Sequence, residues 1–269
     1  VRPLNQEMGG SKQSCGSGNC CLSPSSDPPP PPCLWQVYGT VMTINQGNPA
    51  VQEVLVDSWP EFKVVLTQPC REVMWHWMTD FYTNTYTVYY RDLHAYGPLL
   101  ASVGAVNWGQ TFCIHGNMCP KASGRAPQQL NIYVLSGPNP RIPPYNASPE
   151  ALSVRLSSLD VSHVDLLNEM KYLATLIHDL PSVCLLDAAG HPVSWIASYP
   201  FGATGPGYTL PQHRRRGYMG MLNNLIAKRL HALGYPSYSY VAVENNPMQR
   251  LQERQGFQPQ CAWHDSSNP

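Results

Sequence analysis

The residues best suited to do chemistry lie between Gly207 and Phe257. Gly207-Tyr208-Thr209-Leu210-Pro211-Gln212-His213-Arg214-Arg215-Arg216-Gly217-Tyr218-Met219 reads as a short strand, a tight basic turn and the start of a helix. A helix N-terminus presents unpaired backbone N–H groups and partial positive charge, which suits a phosphate. Gly217 has no Cβ, so a ligand can approach the backbone closely there. Three consecutive arginines add fixed positive charge. These residues form a candidate pyrophosphate cradle. The bland alternative for Arg214 to Arg216 is a solvated basic turn or a localisation signal.

The elements that must position this cradle follow it in the chain. Met221, Leu222, Leu225, Ile226, Leu230 and Leu233 recur at helical spacing, and Gly234 then Pro236 end that helix. Ser237 to Val243 is rich in β-branched and aromatic residues and predicts a strand. Asn245 is placed to cap a second helix, with Pro247 in its first turn and Gly256 at its end. The added context favours phosphate binding over the basic-turn alternative.

Composition narrows the choice of ligand. The chain has 269 residues and a formal net charge of +0, so the basic turn is a local feature. That suits one phosphorylated small molecule better than a nucleic acid, and no nucleic-acid partner is expected. Charged residues make up only 13%, and prolines number 27. The nine cysteines form no paired C-x-x-C pattern, so no metal site is expected. Cys184 sits in an apolar strand-like run and reads as an inert buried thiol, and a reducing compartment is expected. No run of about 18 apolar residues occurs, so no membrane span is expected. Trp59, Trp75, Trp77, Trp108 and Trp195 read as core residues.

Four segments are expected. Residues 1–33, ending in the Pro28 to Pro32 run, lack helix or strand periodicity and read as a disordered low-complexity stretch. Residues 34–118 form a first α/β domain: a strand over Trp35 to Ile44, a short helix over Ala50 to Ser58, strands over Phe62 to Thr67 and Tyr82 to Tyr90, then a helix over Leu93 to Val106 broken by Pro98. Residues 119–150 read as a linker with a possible strand at Gln129 to Leu135. Residues 151–269 form a second domain, with a helix from His163 and a hairpin joining Val183 to Leu186 with Val193 to Tyr199.

The strand, R-x-x-G turn, helix, strand, Asn-led helix and Gly256-Phe257 resemble the GNAT acetyltransferase superfamily. The run Gly207 to Tyr218 is similar, more narrowly, to the glycine N-acyltransferase family. So are Val37 to Met42 with Asn45 to Pro49, Val56 to Phe62, Tyr82 to Tyr86, Leu156 to His163, Pro181 to Leu186 and Pro192 to Trp195, all in order. The resemblance covers roughly Leu34 to Phe257. It implies an α/β (α+β) chain of two GNAT-like halves, each a mixed twisted sheet flanked by helices. It implies N-acyl transfer from acyl-CoA to the amine of glycine or a related amino acid, giving N-acylglycine and CoA. CoA is then a substrate, with no permanently bound cofactor. The implied CoA-binding residues are Leu210, Arg214, Arg215, Arg216, Gly217, Tyr218, Met219 and Asn245, in the 151–269 domain. A mitochondrial monomer is implied, with the cytoplasm as the alternative. No Arg-rich amphipathic presequence is visible.

The chain departs from the family at four places. Its first 33 residues replace the family's ordered start, and the helical insert between Asn168 and Pro181 is short. The family's catalytic glutamate falls six residues before the Thr of Thr-Leu-Pro, and here that position is Ala203. The tyrosine that protonates the thiolate in many GNAT enzymes aligns with Gln252. Ile196 to Tyr208 contains no Asp, Glu or His, so the candidates for a base are Glu244, otherwise a solvated residue beside a helix start, and His213, otherwise a phosphate contact or an exposed turn residue. Turnover is therefore expected to be slow, and Ala203→Glu to raise it. Two other readings stay open: an acyl-CoA-binding member impaired in catalysis, and a truncated splice or gene-model product.

Overall fold

The computed structural model describes residues 2–3, 34–70, 84–102, 105–109, 112–116, 130–135, 154–160, 162–163 and 176–260. The chain divides into two compact units, Val1–Ala126 and Pro127–Pro269. The first holds β1 (Arg2–Pro3), α1 (Trp35–Asn45), β2 (Gln52–Val56), β3 (Val64–Pro69), β4 (Thr85–Tyr90), α2 (Leu93–Ala101) and β5 (Cys113–Gly116). Its five-stranded sheet has the order β1-β2-β3-β4-β5. The outer pairs β1/β2 and β4/β5 are parallel and the central pairs antiparallel.

Side-chain alternation explains its two layers. Val54, Val56 and Val65 face Val37 and Val41 of α1. Leu55, Val64, Leu66, Tyr86 and Val88 point the other way, against Tyr96, Leu99 and Leu100 of α2. The unit thus carries helices on both sheet faces.

Several expectations here are overturned. Trp35 to Ile44 is a helix, not a strand, although Val37, Thr40, Val41, Thr43 and Ile44 are β-branched. Thr40 and Thr43 turn their hydroxyls back to the carbonyls of Gln36 and Gly39, which fits them to a helical backbone. Ala50 to Ser58 contains strand β2 instead of a helix, because Val54-Leu55-Val56 supplies apolar groups to both sheet faces. The helix from Leu93 runs through Pro98 and ends at Ala101, before Val106, with Asp92 capping it through the N–H of His94. Arg2–Pro3 pairs with β2 inside the stretch expected to be disordered. Trp195 is buried, but Trp59 and Trp108 are 61% and 53% exposed. Trp75 and Trp77 lie outside the described residues.

The second unit holds β6 (Leu130–Leu135), β7 (Arg155–Ser157), β8 (Ser182–Leu186), β9 (Pro192–Ser198), β10 (Thr204–Thr209), α3 (Tyr218–Ala232), β11 (Ser237–Ala242), α4 (Asn246–Arg254) and β12 (Gln258–Gln260). The seven-stranded sheet has the order β12-β6-β11-β10-β9-β8-β7. β6, expected within a linker, is hydrogen-bonded on both sides, to β11 and to β12. Every pair is antiparallel except β10/β11. The helix expected from His163 lies almost entirely outside the described residues.

Helix α3 crosses from β10 to β11 and buries Met221, Leu222, Ile226 and Leu230. Leu225 is half-buried, Leu233 is exposed, and Gly234 at φ +82° ends the helix. Cys184 is fully buried, and burial pushes its thiol up to about 11. This matches the inert thiol expected from the sequence.

Candidate active-site cleft

The site begins with the way β10 and β11 part. Their register joins them at one pair, Thr204 with Ser239. Beyond that point each strand bonds outward. Gly207, Tyr208 and Thr209 pair with Ile196, Trp195 and Ser194 of β9. Tyr240, Val241 and Ala242 pair with Ile132, Asn131 and Leu130 of β6. Two parallel strands held by other neighbours and touching at one vertex open into a wedge. The register of β10 shifts between Thr204 and Gly207, which turns the strand at the vertex. Gly205 sits there at φ +145°, and a Cβ on it would meet the Tyr199 ring at 2.8 Å.

The wedge is a cleft of about 1020 Å³. Its walls are β10 and β11, and its roof is the first turn of α3 with the inner stripe of α4. Gly217 caps α3 in the left-handed region at φ +78°, a conformation that suits glycine. The α3 N-terminus therefore faces the cleft with its partial positive charge. His213, Arg214, Arg215 and Arg254 line the same space, and among the described residues no Asp or Glu does. The His213 ring stacks on Tyr218 at 6.3 Å, and its buried Nδ1 has no hydrogen-bond partner among the described residues.

The sequence-predicted residues separate into two groups. Arg214, Arg215, Gly217, Tyr218, Met219 and Asn245 all line the cleft. Asn245 also caps α4, its side chain accepting from the N–H of Met248 at 3.3 Å. Leu210, Arg216 and Glu244 do not line it. Leu210 packs against the cluster containing Trp195 and Leu186, and Arg216 and Glu244 are exposed to solvent. Arg214 folds back: its Nε donates to the Thr209 carbonyl at 3.1 Å and its guanidinium covers the Tyr208 ring. Ala203 is fully buried and also lies outside the lining.

Gln252 is fully buried at the centre of an amide network. Its Nε2 donates to Asn223 at 3.3 Å and to the Ser239 hydroxyl at 2.9 Å, and its Oε1 accepts from Asn223 at 3.2 Å. Gln255 accepts from Asn223 at 2.6 Å and donates to the Gly220 carbonyl at 2.6 Å. The network locks α4 to the first turns of α3 and to β11. Neutral amides satisfy one another here without a buried charge.

The sequence reading missed Ser239, Asn224 and Arg254. Pro247, Leu251 and Arg254 fall at i, i+4 and i+7 on α4, so helical periodicity could have put Arg254 on the cleft side. Ser239 could not be found that way, because its role depends on where two distant strands meet.

A mixed α/β chain of two sheets flanked by helices, with a basic cleft between splayed parallel strands, defines the class of protein. The sequence models of aralkyl acyl-CoA:amino acid N-acyltransferase match residues 31–131 and, for its C-terminal region, 183–267. Glycine N-acyltransferase of Rattus norvegicus is 30% identical over 264 residues, covering 85% of this chain and 89% of its own. Glycine N-phenylacetyltransferase of Bos taurus is 30% identical over 252 residues, covering 80% and 84%. A crystal structure of a Drosophila protein aligns at a TM-score of 0.56 and 13% identity, over 85% of this chain and 86% of that one. The chain belongs to the glycine N-acyltransferase family.

Proposed function

We propose that this chain transfers an acyl group from acyl-CoA to the amine of glycine or a similar small amino acid. The observation that carries the reading is the wedge between β10 and β11, which opens onto the N-terminus of α3. The amides from Arg215 to Met219 and the Arg215 side chain take the pyrophosphate, and the pantetheine arm runs inward along the diverging strands. The amine lone pair then attacks the thioester carbonyl. The C–S bond breaks with its electron pair on sulfur, and the acyl group leaves on nitrogen. Holding both substrates together supplies most of the acceleration, through effective molarity.

The test follows free thiol while the purified chain is incubated with a panel of acyl-CoA donors and glycine. Gly217→Asp, which sets a negative charge against the cradle, abolishes both turnover and CoA binding if the reading holds. Turnover that survives this change removes the cradle from the account.

One observation favours a second reading, in which acyl-CoA is bound but turned over poorly. Among the described residues no carboxylate lines the cleft to take the ammonium proton of the acceptor. CoA binding measured by calorimetry without thiol release selects this reading.

A further inference from the structure

We propose that Ser239 is a catalytic residue of this cleft, donating a hydrogen bond from its hydroxyl to the sulfur that departs from the acyl group, and that Gln252 is its positioning residue. The proposal rests on the acyl-thioester reading above.

Four observations lead to it. Ser239 stands at the vertex, opposite Thr204, and lines the cleft although only 3% exposed. Its oxygen accepts from Gln252 Nε2 at 2.9 Å, which fixes the orientation of the hydroxyl. Among the described residues nothing accepts the Ser239 proton. The neighbouring hydroxyl at the vertex is already committed, since Thr204 Oγ1 donates to the Tyr238 carbonyl at 3.2 Å.

Length places sulfur at this point. From Thr209 beside the cradle to Thr204 at the vertex, β10 runs alongside Ser194 to Ser198 of β9, a reach of roughly 13 Å at ~3.3 Å per residue. An extended pantetheine arm matches that reach. A CoA whose pyrophosphate sits on α3 therefore brings its thioester to Ser239. As the C–S bond breaks, negative charge collects on sulfur beside the buried Ser239. A preorganised donor aimed there stabilises that charge more than water does. Ser239 keeps its proton throughout. The surplus proton of the attacking amine is the one released.

The experiment compares the full chain with Ser239→Ala and Ser239→Thr, using acyl-CoA, glycine and thiol detection. Ser239→Ala lowers kcat on the order of 10²-fold, while the Kd for free CoA stays unchanged. Ser239→Thr, which keeps the hydroxyl, retains most of the rate. Gln252→Met keeps the volume but loses the donor, and it lowers kcat in the same sense as Ser239→Ala. Acyl thioesters of increasingly acidic thiols narrow the gap between the parent and Ser239→Ala, because a stable thiolate needs less help. An unchanged kcat in Ser239→Ala, or a deficit of constant size across the thiol series, overturns the proposal. Should Ser239→Ala fail to bind CoA, the parent decides: a shallow dependence of rate on thiol acidity supports the assignment and a steep one overturns it. CoA binding without any thiol release by the parent overturns the assignment and leaves the CoA cleft standing. Absence of CoA binding by the parent removes both.

Discussion

The guanidinium of Arg214 lies over the ring of Tyr208, 5.5 Å from its centroid, and donates to its hydroxyl at 3.2 Å. The first arginine of the basic run is thus tied to β10, while Arg215, at φ +64°, is exposed at the mouth of the cleft. Equal formal charge does not mean equal roles. Arg215→Ala is expected to weaken CoA binding by roughly 10-fold, the value of one charge-assisted hydrogen bond. Arg214→Ala is expected to weaken it less, and to lower the melting temperature through a lost cation–π contact of about 0.5–1 kcal/mol. Calorimetry and thermal melts of the two variants check the division.

Ala203→Glu is expected to destabilise the protein instead of restoring a base. Ala203 is fully buried, and its carbonyl accepts from the N–H of Tyr199 at 2.9 Å. A carboxylate there replaces a fully buried methyl group, and an unpaired buried charge costs several kcal/mol. Poor soluble yield or a large fall in melting temperature is the expected outcome. A stable variant with faster turnover contradicts it.

The rate should follow the ionisation of the acceptor. With no carboxylate among the described residues of the cleft lining, the amine arrives deprotonated, and kcat/KM at low glycine rises with pH until the acceptor's own pKa. A plateau reached near pH 6 means that an enzyme group takes the proton, and His213, which lines the cleft, is then the next residue to replace.

The first unit carries its own pH sensitivity. His115 Nε2 lies 3.4 Å from the Cys113 sulfur, and burial pulls its pKa down to about 4. The folded value is below the unfolded one of about 6.5, so folding favours the neutral ring. The stabilisation is complete above that pH and is lost as pH falls through it towards the folded value. The His115 residue keeps some exposure, so the loss is smaller than the roughly 3 kcal/mol that such a shift represents. Melting temperature should fall between pH 7 and pH 5, and His115→Gln should flatten that slope.

The second unit was largely legible in the sequence because its signals are local. Arg214 to Gly217 announces a helix start, Gly234 a helix end, and Asn245 with Pro247 another start, and all three stand in the structure. The first unit misled at Trp35 to Ile44, where β-branched residues suggest a strand but the back-bonded hydroxyls of Thr40 and Thr43 settle into a helix. The cleft itself could not be read. Its shape depends on β11 pairing with β6, more than a hundred residues earlier, and no local pattern encodes that partner. Burial of Ala203 and the amide network around Gln252 are likewise products of tertiary packing.

The central claim is that CoA enters the wedge between β10 and β11 with its pyrophosphate on α3. Amide hydrogen exchange with and without CoA tests this most directly, because protection reports the bound backbone itself. The account predicts slowed exchange at Arg215 to Gly220 and along Gly207 to Thr209 and Ser239 to Ala242, with the outer strands β7 and β8 unchanged. Protection confined to the first unit, or no protection at saturating CoA, contradicts it.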